Sequence, residues 1–325
     1  MLNALFPLLT QLISPGGERG RLTILMYHRV VESSDPLFPY LPTAEAFNLH
    51  METLANGFTC LPLSEAIDRL EKRSLPPRAA CVTFDDGYRD NITVASPVLA
   101  RHGIPGTIFV AAGFLDGGRM WNDSVLEAVR RAQGATLDLN AIGLGIYNLS
   151  SDSDRTAAIH SLIDQLKYLP FTERSDKVDA LCAAIGATLP NDLMMSSDDV
   201  RSAPRLNIEI GGHTMYHPIL TRLNDEQARA EIADGKAQLE SILKGKITLF
   251  AYPNGRPGED YNVRHAAMVK EVGFRAACAT TSGAADMRSD LFQLPRYAPW
   301  DTRKSKLQLR LLRNLVRPAP NPAYA

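Results

Sequence analysis

The sequence predicts an α/β chain: a closed or nearly closed barrel of parallel strands, each followed by a helix, with a helical insertion after the third strand. Three observations predict it. Short β-rich apolar runs alternate with stretches of helical spacing from Leu22 to Ala298, the mark of right-handed βαβ units and a parallel sheet. The alternation breaks between about Gly113 and Pro204, where helical stretches follow one another without a strand pattern, and then resumes at once. The 325 residues also leave room for such an insertion beyond the roughly 250 of an eight-stranded barrel.

The elements follow in order. Leu22 to His28 (LTILMYH) is an apolar, partly β-branched run and reads as a buried strand. Thr43 to Leu54 reads as a helix with Thr43 as its N-cap. Ser64 to Arg73 is a second helix, closed before Pro76-Pro77. Ala79 to Phe84 (AACVTF) is the second buried strand and runs into the acidic pair Asp85-Asp86. Asn91 to His102 is a helix stopped by Gly103, and Gly106 to Ala112 (GTIFVAA) is the third strand. In the insertion, Asp154 to Leu169 and Thr172 to Ile185 show helical spacing. Asn207 to Gly211 is a strand, Asn224 to Leu243 a long helix and Ile247 to Tyr252 another strand. Glu259 to Val272 is a helix closed by Gly273, and Phe274 to Thr280 and Leu291 to Ala298 read as the last two strands. Residues 1–20 thus form an N-terminal helical segment, 21–301 the barrel with its insertion at about 113–205, and 302–325 a basic tail.

Composition narrows the function classes. A net charge of −1, with 45% hydrophobic and 22% charged residues, describes an ordinary globular chain. It lacks the basic excess of a nucleic-acid binder. Arg303, Lys304, Lys306, Arg310, Arg313 and Arg317 make the tail locally basic. They read as a solvated helix face or as a contact for an acidic glycan or membrane surface. The apolar start, Leu2 to Ile13, has no basic residue before Arg19, is interrupted by Pro7 and is too short to span a bilayer. It reads as an amphipathic helix packed on the body, and the expected compartment is the cytoplasm. Cys60, Cys81, Cys182 and Cys278 form no CxxC pair and read as free thiols.

Polar clusters stand where strands end. Asp85-Asp86-Gly87 follows AACVTF, and two adjacent carboxylates there are costly to desolvate without partners. Alone they read equally well as a turn with an acidic helix cap. His213 and His217 follow the strand NIEIG, and a spacing of four places both rings on one face of a helical turn. One aspartate and two histidines make a three-ligand site with an open position, as catalytic zinc sites are built. A metal there lowers the pKa of water, and the second carboxylate can take the proton.

Together these motifs carry a family resemblance. TFDDGYRDN (Thr83 to Asn91) and GGHTMYHPIL (Gly211 to Leu220) closely resemble the polysaccharide deacetylase family, the NodB-homology group also called carbohydrate esterase family four. FAYPNG (Phe250 to Gly255), GFRAACATTSG (Gly273 to Gly283), LPRYAPWD (Leu294 to Asp301) and MYHRV (Met26 to Val30) are similar to its exopolysaccharide-associated subgroup. The resemblance runs from about Leu22 to Asp301. It implies a (β/α)7 barrel and a divalent metal, zinc first. It also implies hydrolysis of N-acetyl groups on an amino-sugar polymer, a carbon–nitrogen bond that is not a peptide bond. By position it makes Asp85 the general base and Asp86, His213 and His217 the metal ligands. The backbone at Tyr252, Pro253 and Asn254 would line the acetate pocket and help hold the oxyanion.

The sequence departs from the family where many members carry a C-terminal histidine as general acid: Arg296 stands there, and arginine keeps its proton. His28, at the end of the first strand, is a candidate donor, with a structural role as the other reading, and Asp85, protonated after activating the water, is the competing donor. His50, His102, His160 and His265 lie on predicted helices and read as surface residues. Arg89 reads either as an orienter of Asp85 or as a surface arginine. Trp121 reads as a sugar-stacking residue or as an anchor of the insertion, with Asp123 capping its helix. The leading function is a metal-dependent deacetylase of an exopolysaccharide or cell-wall glycan. A hydrolase of small linear or cyclic amides and a non-catalytic glycan binder are the alternatives. A groove crossing the metal would favour the polymer, and a capped pocket the small amide. The expected partner is a carbohydrate polymer, with no nucleic acid, and membrane contact through either terminal segment stays open.

Overall fold

The structure, a computed structural model, describes residues 2–318. Helix α1 (Leu2–Ile13) precedes strand β1 (Leu22–Tyr27), followed by α2 (Ala44–Gly57), the short β2 (Thr59–Cys60), α3 (Leu63–Glu71) and β3 (Ala79–Phe84). A π-helical turn at Asn91–Ala95 runs into α4 (Ser96–Arg101), and β4 (Gly106–Val110) follows. The insertion holds α5 (Trp121–Arg131), β5 (Thr136–Asp138), β6 (Ile146–Asn148), α6 (Asp152–Leu166), α7 (Phe171–Ile185) and α8 (Ser197–Ser202). The main sheet resumes with β7 (Ile208–Gly212), α9 (Asp225–Leu243), β8 (Leu249–Ala251), α10 (Val263–Glu271) and β9 (Ala276–Cys278), and α11 (Lys304–Val316) follows.

The sheet runs β1-β3-β4-β7-β8-β9, every pair parallel, with β2 beside the start of β3. It is the curled α/β sheet that the alternation predicts. All six residues of β3 are buried, so its apolar run is used on both faces. The segment 291–298 closes the curl, but as single bridges rather than the expected strand: Leu294 pairs with Cys278, and Tyr297 with Leu25. Pro295 between them has no N–H to give a ladder, which is why regular pairing breaks there.

The insertion packs around its own apolar cluster, with Val129, Ile159, Leu162 and Leu181 buried against Leu37 and Phe38 of the loop after β1. It contains the hairpin β5–β6, which the sequence does not announce. Each of its strands has three residues, and Leu137 alone among the six is buried, so no period-two pattern forms. His50 and His265 are also buried, against expectation. The His50 ring bonds the Tyr27 hydroxyl at 3.0 Å and the Asp301 carbonyl at 2.7 Å, and His265 Nδ1 accepts from the Asn262 N–H at 3.1 Å, capping α10. Helix α1 buries Phe6 and exposes Leu5, Leu8 and Leu12. It packs on α11, whose Leu307, Leu311 and Leu315 are buried beneath exposed Lys306, Arg313 and Arg317. No helix among the described residues is long and apolar enough to cross a membrane. The four cysteines are free.

Candidate active site

Three strand ends converge. The chain leaves β3 into Asp85 and Asp86, with Asp86 at φ 75° and Gly87 at φ 85°. A non-glycine residue in that left-handed region costs of order 1 kcal/mol. The turn aims the Asp86 carboxylate at the loop after β7. There His213 Nε2 lies 3.4 Å and His217 Nε2 3.3 Å from Asp86 Oδ1.

That loop is not the helical turn the spacing suggested. Thr214 and His217 take left-handed φ of 64° and 53°, which no α-helix allows. Side chains hold it instead. Thr214 Oγ1 accepts from the His217 N–H at 3.0 Å. The Glu231 carboxylate of α9 accepts from the N–H groups of Met215 at 3.0 Å and Tyr216 at 2.8 Å. Gly235 lets α9 come this close, since a Cβ there would lie 2.6 Å from the Thr214 backbone. Sequence reasoning missed Glu231, because nothing local separates it from the other acidic residues of its helix.

The three groups suit a metal. One ligand atom from each of Asp86, His213 and His217 lies within 4.8 Å of the other two. Asp86 Oδ1 is buried without a hydrogen-bond partner among the described residues. A buried carboxylate oxygen left so is costly unless a cation meets it. His213 Nδ1 bonds the Ala251 carbonyl at 2.7 Å. A carbonyl accepts only, so Nδ1 carries a proton and Nε2 is the ring atom turned to Asp86, the orientation of metal-ligating histidines. Burial lowers the His213 pKa, but Asp86 and Asp85 outweigh it and hold it above its usual value. Burial, with His213 and His28 nearby, outweighs Asp86 and brings His217 down to about 4, so its ring is neutral.

Asp85 sits behind this trio and is held by Arg296. The guanidinium donates from NH1 to Oδ1 at 2.6 Å and from NH2 to Oδ2 at 2.7 Å. Its Nε donates to the Ala279 carbonyl at 2.9 Å. Both side chains are almost wholly buried. Burial raises the Asp85 pKa, but Arg296 and His213 outweigh it, so the carboxylate stays below its usual range and charged. Arg296, and not Arg89, is the arginine paired with Asp85. Arg89 is exposed and lies 3.7 Å from Asp199.

The other predicted residues fall out as follows. His28 is exposed and lines one cavity of about 250 Å³ with Asp85, Asp86, His213 and His217. Asn254 and Trp121 line the same cavity. Tyr252 is buried, its ring stacked on Tyr261 at 3.7 Å and its hydroxyl donating to Phe292 O. Its N–H donates to Cys278 O and proline has none, so within Tyr252-Pro253-Asn254 a backbone N–H remains to offer at Asn254. Asp123 does not cap α5, whose N-cap is Met120. Its carboxylate accepts from the Tyr88 hydroxyl at 3.0 Å, and burial pushes it up to about 7. His28 and Asp86 also line a second cavity of about 390 Å³, together with Phe38, Tyr40 and Tyr88. The two cavities share His28, Asp86, Asn122 and Ile163, so they adjoin at Asp86.

The chain is similar to known proteins over the same region. The family model described as Polysaccharide deacetylase matches residues 72–141 and 173–277, more than half of the chain. YxkH of Bacillus subtilis (strain 168), which is named as a polysaccharide deacetylase, is 22% identical over 278 residues, covering 85% of this chain and 70% of its own. Among solved structures, the Streptococcus pyogenes deacetylase PplD in complex with acetate superposes with a TM-score of 0.60 at 17% identity, over 91% of this chain and 98% of that one. The de-N-acetylase of Aggregatibacter actinomycetemcomitans gives 0.59 at 15% identity, over 90% and 99%. IcaB from Ammonifex degensii gives 0.57 at 20% identity, over 91% and 98%. At these identities the structural likeness speaks for the fold.

Proposed function

The chain belongs to the polysaccharide deacetylase family, a family of hydrolases, and we propose that it removes N-acetyl groups from an amino-sugar polysaccharide with the aid of a divalent metal. The observation that carries this reading is the buried, unpartnered Asp86 Oδ1 facing the Nε2 atoms of His213 and His217, with a second carboxylate, that of Asp85, held in its charged form by Arg296. Asp86, His213 and His217 would hold the metal, and two nitrogen donors with one oxygen donor suit zinc first. When bound, such an ion supplies Lewis acidity to the acetamide carbonyl and to water.

The chain's own groups do the rest. Asp85 takes the proton from the attacking water, and Arg296 keeps its two oxygens aimed and unprotonated until then. The Asn254 N–H is the backbone donor for the oxyanion. The leaving amine needs a proton. His28, on the open side of the cavity, delivers it, unless Asp85 returns the one it took. His28→Gln separates the two: a fall in kcat of about a hundredfold or more, with loss of the alkaline limb of the pH profile, assigns the donor to His28. An unchanged profile gives both steps to Asp85.

Two cavities that adjoin at His28 and Asp86 offer more room than one acetamide needs and favour a chain-like substrate, in an exopolysaccharide or a cell-wall glycan, over a small amide in a closed pocket. Acetate release tests the whole reading. N-acetylglucosamine oligosaccharides and a panel of small linear and cyclic amides are incubated with the protein, with chelator, and with zinc restored after chelation. Acetate from the oligosaccharides, lost with chelator and regained with zinc, is expected. Turnover of the small amides alone selects the other enzyme class, and no turnover with zinc restored overturns the proposal.

A further inference from the structure

A second charge problem lies on the insertion's wall of the same cavity. Arg174 of α7 is 6% exposed, and burial lowers its pKa with no carboxylate near enough to offset it. Helices α6 and α7 carry Asp164, Glu173, Asp176 and Asp179, but none of them pairs with it among the described residues. Its guanidinium carbon lies 4.9 Å from the Trp121 ring centre and 5.8 Å from that of Phe171. Its one hydrogen bond among the described residues, NH1 to Lys167 O, is long at 3.4 Å. Arginine has five N–H donors, so most are left without a protein acceptor. Lys167, half-buried at the end of α6, lines the cavity beside it and makes no ion pair among the described residues.

The rest of the cavity does not cancel these charges. Asp85 is matched by Arg296, and the Asp86 carboxylate is turned to the Nε2 atoms of His213 and His217, where the proposed metal would meet it. Two cationic residues therefore line one cavity of about 250 Å³, with the Lys167 ammonium 5.5 Å from the Tyr168 ring centre and in no ion pair among the described residues. A buried cation is costly unless something pairs with it, and an anion in the cavity would supply both the charge and the missing acceptors.

We propose that Arg174 and Lys167 form an anion subsite, so that the substrate is an acidic amino-sugar polymer. A carboxylate or phosphate group on the sugar beside the one that loses its acetyl group meets the Arg174 fork and the Lys167 ammonium. This rests on reading the cavity as a deacetylase site, and it adds the charge class of the substrate.

Three probes of equal length test it: a neutral N-acetylglucosamine oligosaccharide, one alternating N-acetylglucosamine with glucuronic acid, and one bearing phosphate. Acetate release is measured beside binding, read from Trp121 fluorescence in a Trp300→Phe background at low and high salt. At low salt at least one acidic probe is expected to bind and react about tenfold better than the neutral one, and the advantage should shrink as salt rises. Which acidic probe is preferred identifies the anion. Lys167→Gln and Arg174→Gln should each reduce that preference about tenfold, mainly through KM, with Arg174→Lys recovering part of it. Lys167 is half-exposed, so its variant keeps the test open should Arg174→Gln disturb the insertion. Equal binding of neutral and acidic probes, or a preference that survives both substitutions, overturns the subsite. Salt-sensitive, Arg174-dependent binding of an acidic probe with no acetate from any probe leaves the subsite standing and removes the deacetylase reading instead.

Discussion

Asp85→Asn is expected to lower acetate release by about 10²–10⁴-fold while metal content stays at the wild-type level. Asparagine matches aspartate in size and can still accept one hydrogen bond from Arg296, but it cannot take a proton from water. The proposed ligand atoms, Asp86 Oδ1 and the Nε2 atoms of His213 and His217, are not on Asp85, so the metal should remain. The variant is measured by metal analysis and by kcat at saturating substrate. Loss of both metal and activity would make Asp85 a group that builds the site rather than a base. Near-normal turnover with metal retained would place the base elsewhere.

Arg296→Met is expected to destabilise the protein by about 3–5 kcal/mol, because it leaves Asp85 charged, buried and unpaired. For a chain of this size that is a fall in Tm of roughly 5–15 °C. Activity should fall with it, since Asp85, the proposed base, loses the fork that aims it. The double variant Asp85→Asn, Arg296→Met removes both charges and should regain much of the lost stability, as when a buried pair is replaced by groups of similar volume. Thermal unfolding of wild type, both single variants and the double variant measures the coupling. Single losses that merely add in the double variant would mean the pair is not what holds this part of the barrel.

Much of the fold was legible because its signals are local. An apolar run such as AACVTF has to be buried, and a charged pair placed directly after it cannot follow it inside. That places Asp85 and Asp86 at a strand mouth from the sequence alone. The same logic puts His213 and His217 after β7 and His28 after β1. Thr43 as the N-cap of α2 and the alternation that yields the parallel sheet are readable for the same reason: each depends on neighbours within a turn or two.

What stayed hidden depends on residues far apart in the chain. Arg296 reaches Asp85 across 211 positions, and only the closure of 291–298 between β9 and β1 brings them together. The sequence marked Arg296 as a missing acid, whereas the tertiary structure makes it the partner of Asp85. Glu231 holds the histidine loop from α9, 16 and 15 residues beyond the N–H groups it accepts from, and the loop's left-handed turns defeat the helical spacing read from HxxxH. By itself, then, the sequence determined the barrel's alternation and which polar residues stand at strand ends, because burial periodicity is written residue by residue. The tertiary structure alone decided which of those residues meet, which charges are paired and that the insertion walls the cavity with Arg174 and Lys167, because pairing across the chain depends on how the sheet curls and closes.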